Sequence, residues 1–179
     1  MHQRVIKTAF ASVMISLALG AQPAFAVTFT VTSTADAADT SPGNGICATP
    51  VSGCTLRAAI QEANALLPNV KVIVGEIRRA HRRLSTYRDE AKKAAEAAEH
   101  GGGGLTDGLA YAMILTELTT QLAELDTLGV QLKDFERGLV DFPSLRDGRV
   151  VLLCWQLGEG DELEWWHDVD AGFAGRTPL

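Results

Sequence analysis

The stretch RVVLLCWQL at residues 149–157 decides the fold. Apolar side chains occupy its odd and even positions alike, which is typical of a central strand buried on both faces of a sheet. Turn-forming sequences lie on either side of it at 143–148 and 158–161, and shorter strands are predicted beyond them at 138–142 and 163–167. The sequence therefore predicts a three-stranded antiparallel β-meander. One face would pack on other elements, and the second would be covered by the C-terminal tail or by another subunit.

Two apolar helical seams precede this sheet. In residues 68–99 apolar side chains recur at alternating spacings of three and four, and Pro68 suits a first helical turn. Glycines at 101–104 interrupt the pattern, and a second helix begins at Thr106 or Asp107. The seams consist of Val70, Ile73, Ile77, Ala80, Leu84, Tyr87, Ala91, Ala94 and Ala98, and of Tyr111, Leu115, Leu118, Leu122 and Leu125. These patterns predict an antiparallel helical hairpin packed on the meander, which is an α+β fold.

The first 26 residues have the three parts of a secretory signal peptide. Arg4 and Lys7 form a basic region, residues 8–21 form an apolar run, and AFA at 24–26 is a small-x-small cleavage site. No later apolar run is long enough to cross a bilayer, so no transmembrane span is expected after cleavage. The 179 residues carry a net charge of −6, which makes the chain a poor candidate for sequence-independent binding of nucleic acid.

Residues 27–60 are predicted to form a loosely ordered segment ahead of the hairpin. The alternation of VTFTVTST at 27–34 predicts a short strand, and residues 36–53 are rich in loop-forming side chains. Thr55 is then placed to cap a short helix that extends to residue 65.

The three cysteines divide into a pair and a single residue. In an oxidising compartment Cys47 and Cys54 could close a small loop through a disulfide. Cys154 is left over, in the middle of an apolar strand with no helix N-terminus to activate it, so we expect it to be inert.

The N-terminal segment resembles a known type of domain. The run FTVTSTADAADTSPGNGICATPVSGCTLRAAIQEANA at 29–65, with CTLRAA at 54–59, is similar to the CSLREA-type N-terminal domain of exported bacterial proteins. Such domains usually precede long extracellular repeat or β-helical regions. No internal repeat follows in this chain.

The remainder, from about residue 56 to residue 179, resembles the family called domain of unknown function 2203. The matching strings are EANALLP at 62–68, GVQLKDFERGLVDFP at 129–143, LCWQLGE at 153–159 and WHDVDAGFAGRTPL at 166–179. This resemblance implies no established activity. Its usual members look cytoplasmic, which would explain an unpaired Cys154.

The two resemblances overlap at residues 61–67, so the chain has the organisation of a chimera. We expect a signal peptide at 1–26, the CSLREA-like segment at 27–60, and a hairpin-plus-meander domain at 61–179. A natural fusion, a recombined or misassembled reading frame, and an artificial chimera would all produce this junction. The protein is expected to be exported (periplasmic or secreted) if the signal peptide is genuine, and cytoplasmic if the N-terminal segment is a graft.

A polar cluster around the ends of the meander is the candidate chemical site. Its members are Asp134, Glu136, Asp141, His167, Asp168 and Asp170. Because the outer strands of a meander flank the same central strand, these groups could converge and hold a divalent cation. Oxygen ligands suit Mg²⁺ or Mn²⁺, and a histidine shifts the preference towards Zn²⁺ or Fe²⁺. The other interpretation is a network of turns and ion pairs with Arg137, Arg149 and Arg176.

The C-terminal tail offers a second, anionic kind of site. Arg137 and Arg176 are candidates to bind an anion, with Gly172 and Gly175 allowing close backbone approach. The alternative is that the tail is held over the sheet by Phe173.

Two functions follow from these observations. The first is a non-enzymatic interaction or scaffold module that binds a protein partner or forms a homodimer through a helix seam or the apolar sheet. The alternative is a metal-dependent hydrolase, in which a metal held by the Asp/Glu/His cluster activates water.

Overall fold

The structure is a computed structural model that describes residues 29–50 and 53–179. Within them, three helices precede a five-stranded sheet whose strands are all antiparallel and follow one another in chain order. The helices are α1 (Leu56–Ser85), α2 (Arg88–Ala98) and α3 (Gly108–Thr127); the strands are β1 (Gln131–Asp134), β2 (Leu139–Arg146), β3 (Arg149–Gln156), β4 (Trp165–Asp168) and β5 (Thr177–Pro178). The predicted α+β class is confirmed. The predicted signal peptide lies outside the described residues.

The helices break at a different place from the one predicted. A short helix to residue 65 and a second one from 68 to 99 were expected, but α1 runs without interruption through Pro68. Burial of Ala63 and Leu67 before the proline, and of Val70 after it, holds this stretch helical although proline contributes no N–H. The break falls instead after Ser85, and α2 beyond it has no buried residue.

α3 returns along α1 as an antiparallel partner. Tyr87 meets Tyr111 with ring centroids 5.7 Å apart, while Arg83, one turn earlier, pairs with Glu117, further along α3. The seam of α3 differs from the predicted one, because Ile114 is buried whereas Leu115 is 42% exposed. Leu118 and Leu125 of the predicted seam are buried as expected, so the two patterns differ only in the order of the three- and four-residue steps near Ile114.

The main core lies between this helical pair and one face of the sheet, which we call the inner face. Its sheet residues are Val140, Phe142, Leu153 and Trp155, and they pack against Ile73, Ile77 and neighbouring side chains of the helices. Gly138 marks a close approach of the sheet to α1: its φ is +63°, and a Cβ atom there would lie 2.8 Å from the Cγ1 atom of Val74. The sheet and α1 are therefore in close contact at Gly138.

The predicted three-stranded meander is corrected to five strands. β1 and β5 are additions at the two edges, and both are too short to show in the pattern of the sequence. The first predicted strand also extends through Pro143 to Arg146, and the turn tightens to Asp147 and Gly148, which have φ values of 53° and 73°. Positive φ at both positions fits the two-residue hairpin turn that matches strand twist. Pro143 is tolerated because the pairing of β1 with β2 ends at Asp141.

Two polar side chains near the start of α1 hold the N-terminal segment against this helix. The Glu62 carboxylate is fully buried and accepts hydrogen bonds from the backbone N–H groups of Gly43 and Gly45, both at 2.9 Å. Gln61 Oε1 accepts another from the N–H of Asp39 at 2.8 Å. These hydrogen bonds attach the segment to α1, although its loop-rich composition predicted loose order.

The start of α1 is held in the same way. Thr55 caps the helix by accepting from the Ala58 N–H at 3.1 Å, and its own hydroxyl donates to the Ala37 carbonyl. A disulfide joins Cys47 to Cys54, the residue just before the cap. α1 is continuous from Leu56, so the expected boundary between residues 60 and 61 falls inside this helix.

None of the helices in the described ranges combines the length and apolar character needed to cross a membrane.

Candidate metal centre

Three chemically active side chains meet on the face of the sheet that points away from the helices, which we call the outer face. Asp141 on β2 and Cys154 on β3 are directly opposite each other in the strand register. His167 on β4 is opposite Leu152, two residues before Cys154. Because side chains two residues apart on a strand lie on the same face, all three project to the outer side.

Their ligand atoms are close together and shielded from solvent. The carboxylate, thiol and imidazole groups each offer an atom within 4.8 Å of the others. Cys154 is 0% exposed, Asp141 2% and His167 4%. The tightest contact is between His167 Nε2 and Asp141 Oδ1, at 3.3 Å. A buried group of one nitrogen, one oxygen and one sulfur is chemically suited to a transition-metal cation.

The hydrogen bonding of His167 determines which of its two ring nitrogens carries the proton. Its Nδ1 atom lies 2.8 Å from the backbone carbonyl of Asp168, which can only accept, so Nδ1 carries the proton. In the neutral ring Nε2 is then an unprotonated acceptor that faces the Asp141 carboxylate, which is another acceptor. A second proton or a cation between the two groups is needed to make this buried contact favourable.

Burial raises the pKa of the Cys154 thiol from its ordinary value of 9.0 to about 12, and the negative charge of Asp141 acts in the same direction. Arg176 opposes the shift, since its Nη1 atom lies 3.9 Å from the sulfur. The thiol is therefore protonated at neutral pH in the metal-free protein. A bound divalent cation would displace this proton, because metals bind the thiolate form.

The C-terminal tail, which contains Phe173 and Arg176, covers this group of three side chains. Two guanidinium groups contact the ring of Phe173, that of Arg176 at 3.8 Å and that of Arg137 at 5.2 Å from the ring centroid. Arg176 is fixed by a 2.7 Å hydrogen bond to Glu159. A cavity of about 170 Å³ lies next to Phe173 and is also lined by Asp141 and His167. This places Phe173 over the sheet, as expected from the tail sequence.

The other four predicted metal ligands lie apart from the cluster. Asp134 closes a turn by accepting from the N–H groups of Glu136 and Arg137, at 2.8 and 2.9 Å. Glu136 points to α1, where it pairs with His81 and Arg82. Asp168 and Asp170 are exposed, and Asp168 follows His167 on β4, so its side chain projects to the opposite face.

Both arginines predicted to bind an anion have partners within the chain. Arg176 is paired with Glu159, and Arg137 lies 3.9 Å from the Asp134 carboxylate.

Cys154 is the member of the cluster that was missed from the sequence. Its position in an apolar strand indicated an inert core residue. The signal that places it beside Asp141 is the register of the β2–β3 hairpin, and this register depends on which two residues form the turn.

These features define a class: a small α+β protein with a helical pair on one face of an antiparallel meander and a candidate metal centre on the other. Residues 59–179 match the family model described as "Uncharacterized conserved protein (DUF2203)", and the chain therefore belongs to that family. The resemblance predicted for the second part of the chain is confirmed, and Asp141, Cys154 and His167 all lie within the match, whereas the CSLREA-type resemblance of the N-terminal segment stays a prediction. No curated protein and no solved structure gave a significant match to the chain.

Proposed function

We propose that this protein is a metal-binding module that holds Zn²⁺ or a similar thiophilic divalent ion through Asp141, Cys154 and His167. The observation that carries the proposal is the orientation of His167. Its Nδ1–H donates to a backbone carbonyl, so the lone pair of Nε2 is directed at the Asp141 carboxylate in a buried position. Backbone orientation of the distal ring nitrogen is the usual support for a metal-binding histidine.

Distances support the same proposal. Two ligand atoms at about 2.0–2.2 Å from a tetrahedral zinc ion lie roughly 3.4 Å apart. The separation of His167 Nε2 and Asp141 Oδ1 is 3.3 Å, so these atoms need no rearrangement to share an ion. The sulfur ligand favours Zn²⁺, Co²⁺ or Fe²⁺ over the Mg²⁺ or Mn²⁺ that a carboxylate cluster would prefer.

Three protein ligands would leave one coordination position free. Structural zinc sites are closed by four protein ligands, whereas catalytic sites use three and keep a position for water or substrate. The cavity next to Asp141 and His167 supports the open arrangement. The hydrolase alternative belongs to this site, with the ligand set changed to include Cys154 and to leave out Asp134, Glu136, Asp168 and Asp170.

Cobalt titration of untagged protein, with the Cys47–Cys54 disulfide intact and Cys154 as a free thiol, tests the metal centre. We expect one Co²⁺ per chain and a thiolate-to-cobalt charge-transfer band that is lost in Cys154→Ser and strongly reduced in His167→Ala. His100→Ala, at an exposed histidine, is the matched control and should behave as the unaltered protein. Circular dichroism verifies the fold of each variant. A correctly folded unaltered protein that shows no charge-transfer band would overturn the proposal.

An interaction module is the second candidate, and the outer side of α3 favours it. Leu109 and Met113 are one helical turn apart and are 74% and 63% exposed. The seams of α1 and α3 already pack against each other, so we propose that a second copy of the chain packs on this outer side instead. Light scattering should give a dimer mass that falls to the monomer mass in Leu109→Ser/Met113→Ser. A monomer at high micromolar concentration rules this candidate out.

We also infer that the protein is exported. The predicted signal peptide at 1–26 and the disulfide between Cys47 and Cys54 support an oxidising compartment. Intact-mass analysis of fractionated cells should find a chain that begins at residue 27 outside the cytoplasm. An uncleaved cytoplasmic chain would instead favour the graft interpretation.

A further inference from the structure

The cavity above the metal centre has an uneven lining, and its polar and apolar parts are separate. Asp141, His167 and Lys133 border one part of it. The rest is formed mainly by the side chains of Leu139, Leu152, Val169 and Phe173. A ligand that fits both parts has one charged end and one short apolar end.

The charge of the site selects the sign of that ligand. A divalent ion bound by the Asp141 carboxylate, the Cys154 thiolate and a neutral His167 is a centre of zero net charge. Arg176 is neutralised by Glu159 at 2.7 Å. Lys133 then remains, with its Nζ atom 3.7 Å from Asp141 Oδ2, so the lined space carries one excess positive charge. A low-dielectric cavity with a net positive charge favours an anion.

Lys133 has donors available for this role. Its Nζ atom donates to Gln131 Oε1 at 2.8 Å, while its distance from Asp141 is too long for a hydrogen bond. An ammonium group has three N–H donors, so two remain for a ligand at the mouth of the cavity. The side chain is 38% exposed and can adjust to an incoming group.

The volume limits the size of the ligand. A cavity of 170 Å³ corresponds to about five or six water volumes at roughly 30 Å³ each. This is enough for a carboxylate with one or two carbon atoms attached, whereas a nucleotide or a peptide would extend out of the cavity into solvent.

We propose that the free coordination position binds a short-chain monocarboxylate, whose oxygens meet the metal and Lys133 while its alkyl end contacts the apolar wall. This inference rests on the proposed metal centre and names its ligand class. The apolar wall favours a carboxylate over phosphate, which has no apolar end.

The test uses the cobalt-loaded protein and propionate as the probe. Propionate should shift the visible cobalt spectrum with saturation, whereas propionamide, which has nearly the same shape without the charge, should not. Lys133→Met keeps the aliphatic stem and should weaken propionate binding about tenfold by removing a charge-assisted hydrogen bond. Lys92→Met, at an exposed position on α2, is the matched control and should have no effect.

The outcomes separate this inference from the metal centre itself. A protein without the charge-transfer band overturns both proposals. A protein that has the band but shows no propionate shift, an equal shift with propionamide, or no effect of Lys133→Met overturns the carboxylate inference alone. A response to inorganic phosphate without one to propionate also contradicts it.

Discussion

The Nε2 atom of His167 lies 3.3 Å from Oδ1 of Asp141, although their strands, β4 and β2, do not pair with each other. β3 runs between them, and two strand spacings separate their backbones by about 10 Å. The two side chains therefore meet above β3, at the position of Cys154. Experiments on this contact can therefore decide whether the outer face of the sheet binds a metal or is ordinary packing.

The Asp141→Asn change should separate metal binding from stability. The side-chain amide of the introduced asparagine can donate to His167 Nε2, so the metal-free variant should be as stable as the unaltered protein or more stable, by up to about 1 kcal/mol. Zinc should raise the melting temperature of the unaltered protein and leave that of Asp141→Asn nearly unchanged. A zinc-dependent increase of equal size in both proteins would contradict the assignment of Asp141 as a ligand.

Cys154 should make the metal-free protein less stable at alkaline pH. Its pKa is raised to about 12 in the folded chain, against an ordinary value of 9.0, so the folded state binds this proton more tightly than the unfolded state. The contribution is fully present below pH 9.0 and is lost as the pH rises towards 12. Urea denaturation between these limits should show a loss for the unaltered protein that is smaller in Cys154→Ala. Identical pH profiles would count against the burial of this thiol.

The seam of α3 can be tested with two adjacent residues. Ile114 is 3% exposed and Leu115 is 42% exposed, although the heptad pattern assigned the seam to Leu115. Ile114→Ala should lower the free energy of unfolding by about 2–5 kcal/mol, as other large-to-small core changes do. Leu115→Ala should cost less than about 1 kcal/mol. The reverse order would restore the predicted seam.

Glu62→Gln should loosen the N-terminal segment. Both carboxylate oxygens accept backbone N–H groups, whereas glutamine offers one acceptor and would turn its amide N–H₂ towards the other donor. We expect a loss of about 1–3 kcal/mol on urea unfolding. Amide hydrogen exchange should also become faster at Gly43 and Gly45. Glu96→Gln, at an exposed position on α2, is the control. Unchanged exchange at both glycines would contradict the anchoring role of Glu62.

The α+β class and the three main strands could be predicted because their signals are local. The apolar run of β3 and the glycine-rich break before α3 are written in consecutive residues. The edge strands β1 and β5 could not be predicted, because four and two residues carry too little periodicity. The passage of α1 through Pro68 depends on packing against distant residues, which no local propensity describes.

The candidate site was likewise predictable only in part. Asp141 and His167 could be predicted as candidates because carboxylates and imidazoles are common metal ligands. Cys154 could not, because its neighbours in sequence are apolar and its partners lie on two other strands. Asp134 and Glu136 were included because they precede the first predicted strand and could converge with the last one, but the structure uses them in a turn and in an ion pair with α1.

One turn of α1 connects distant parts of the chain. Gln61 and Glu62 receive N–H groups from the N-terminal segment, and Asn64 Oδ1 accepts from the N–H of Leu163, between β3 and β4, at 2.7 Å. The family match begins at residue 59, inside this helix. A recombinant fragment cut at that point would have a shortened α1 and would expose the Glu62 carboxylate to water. Fragments meant to isolate the family domain are therefore better started ahead of residue 29 than at the edge of the match.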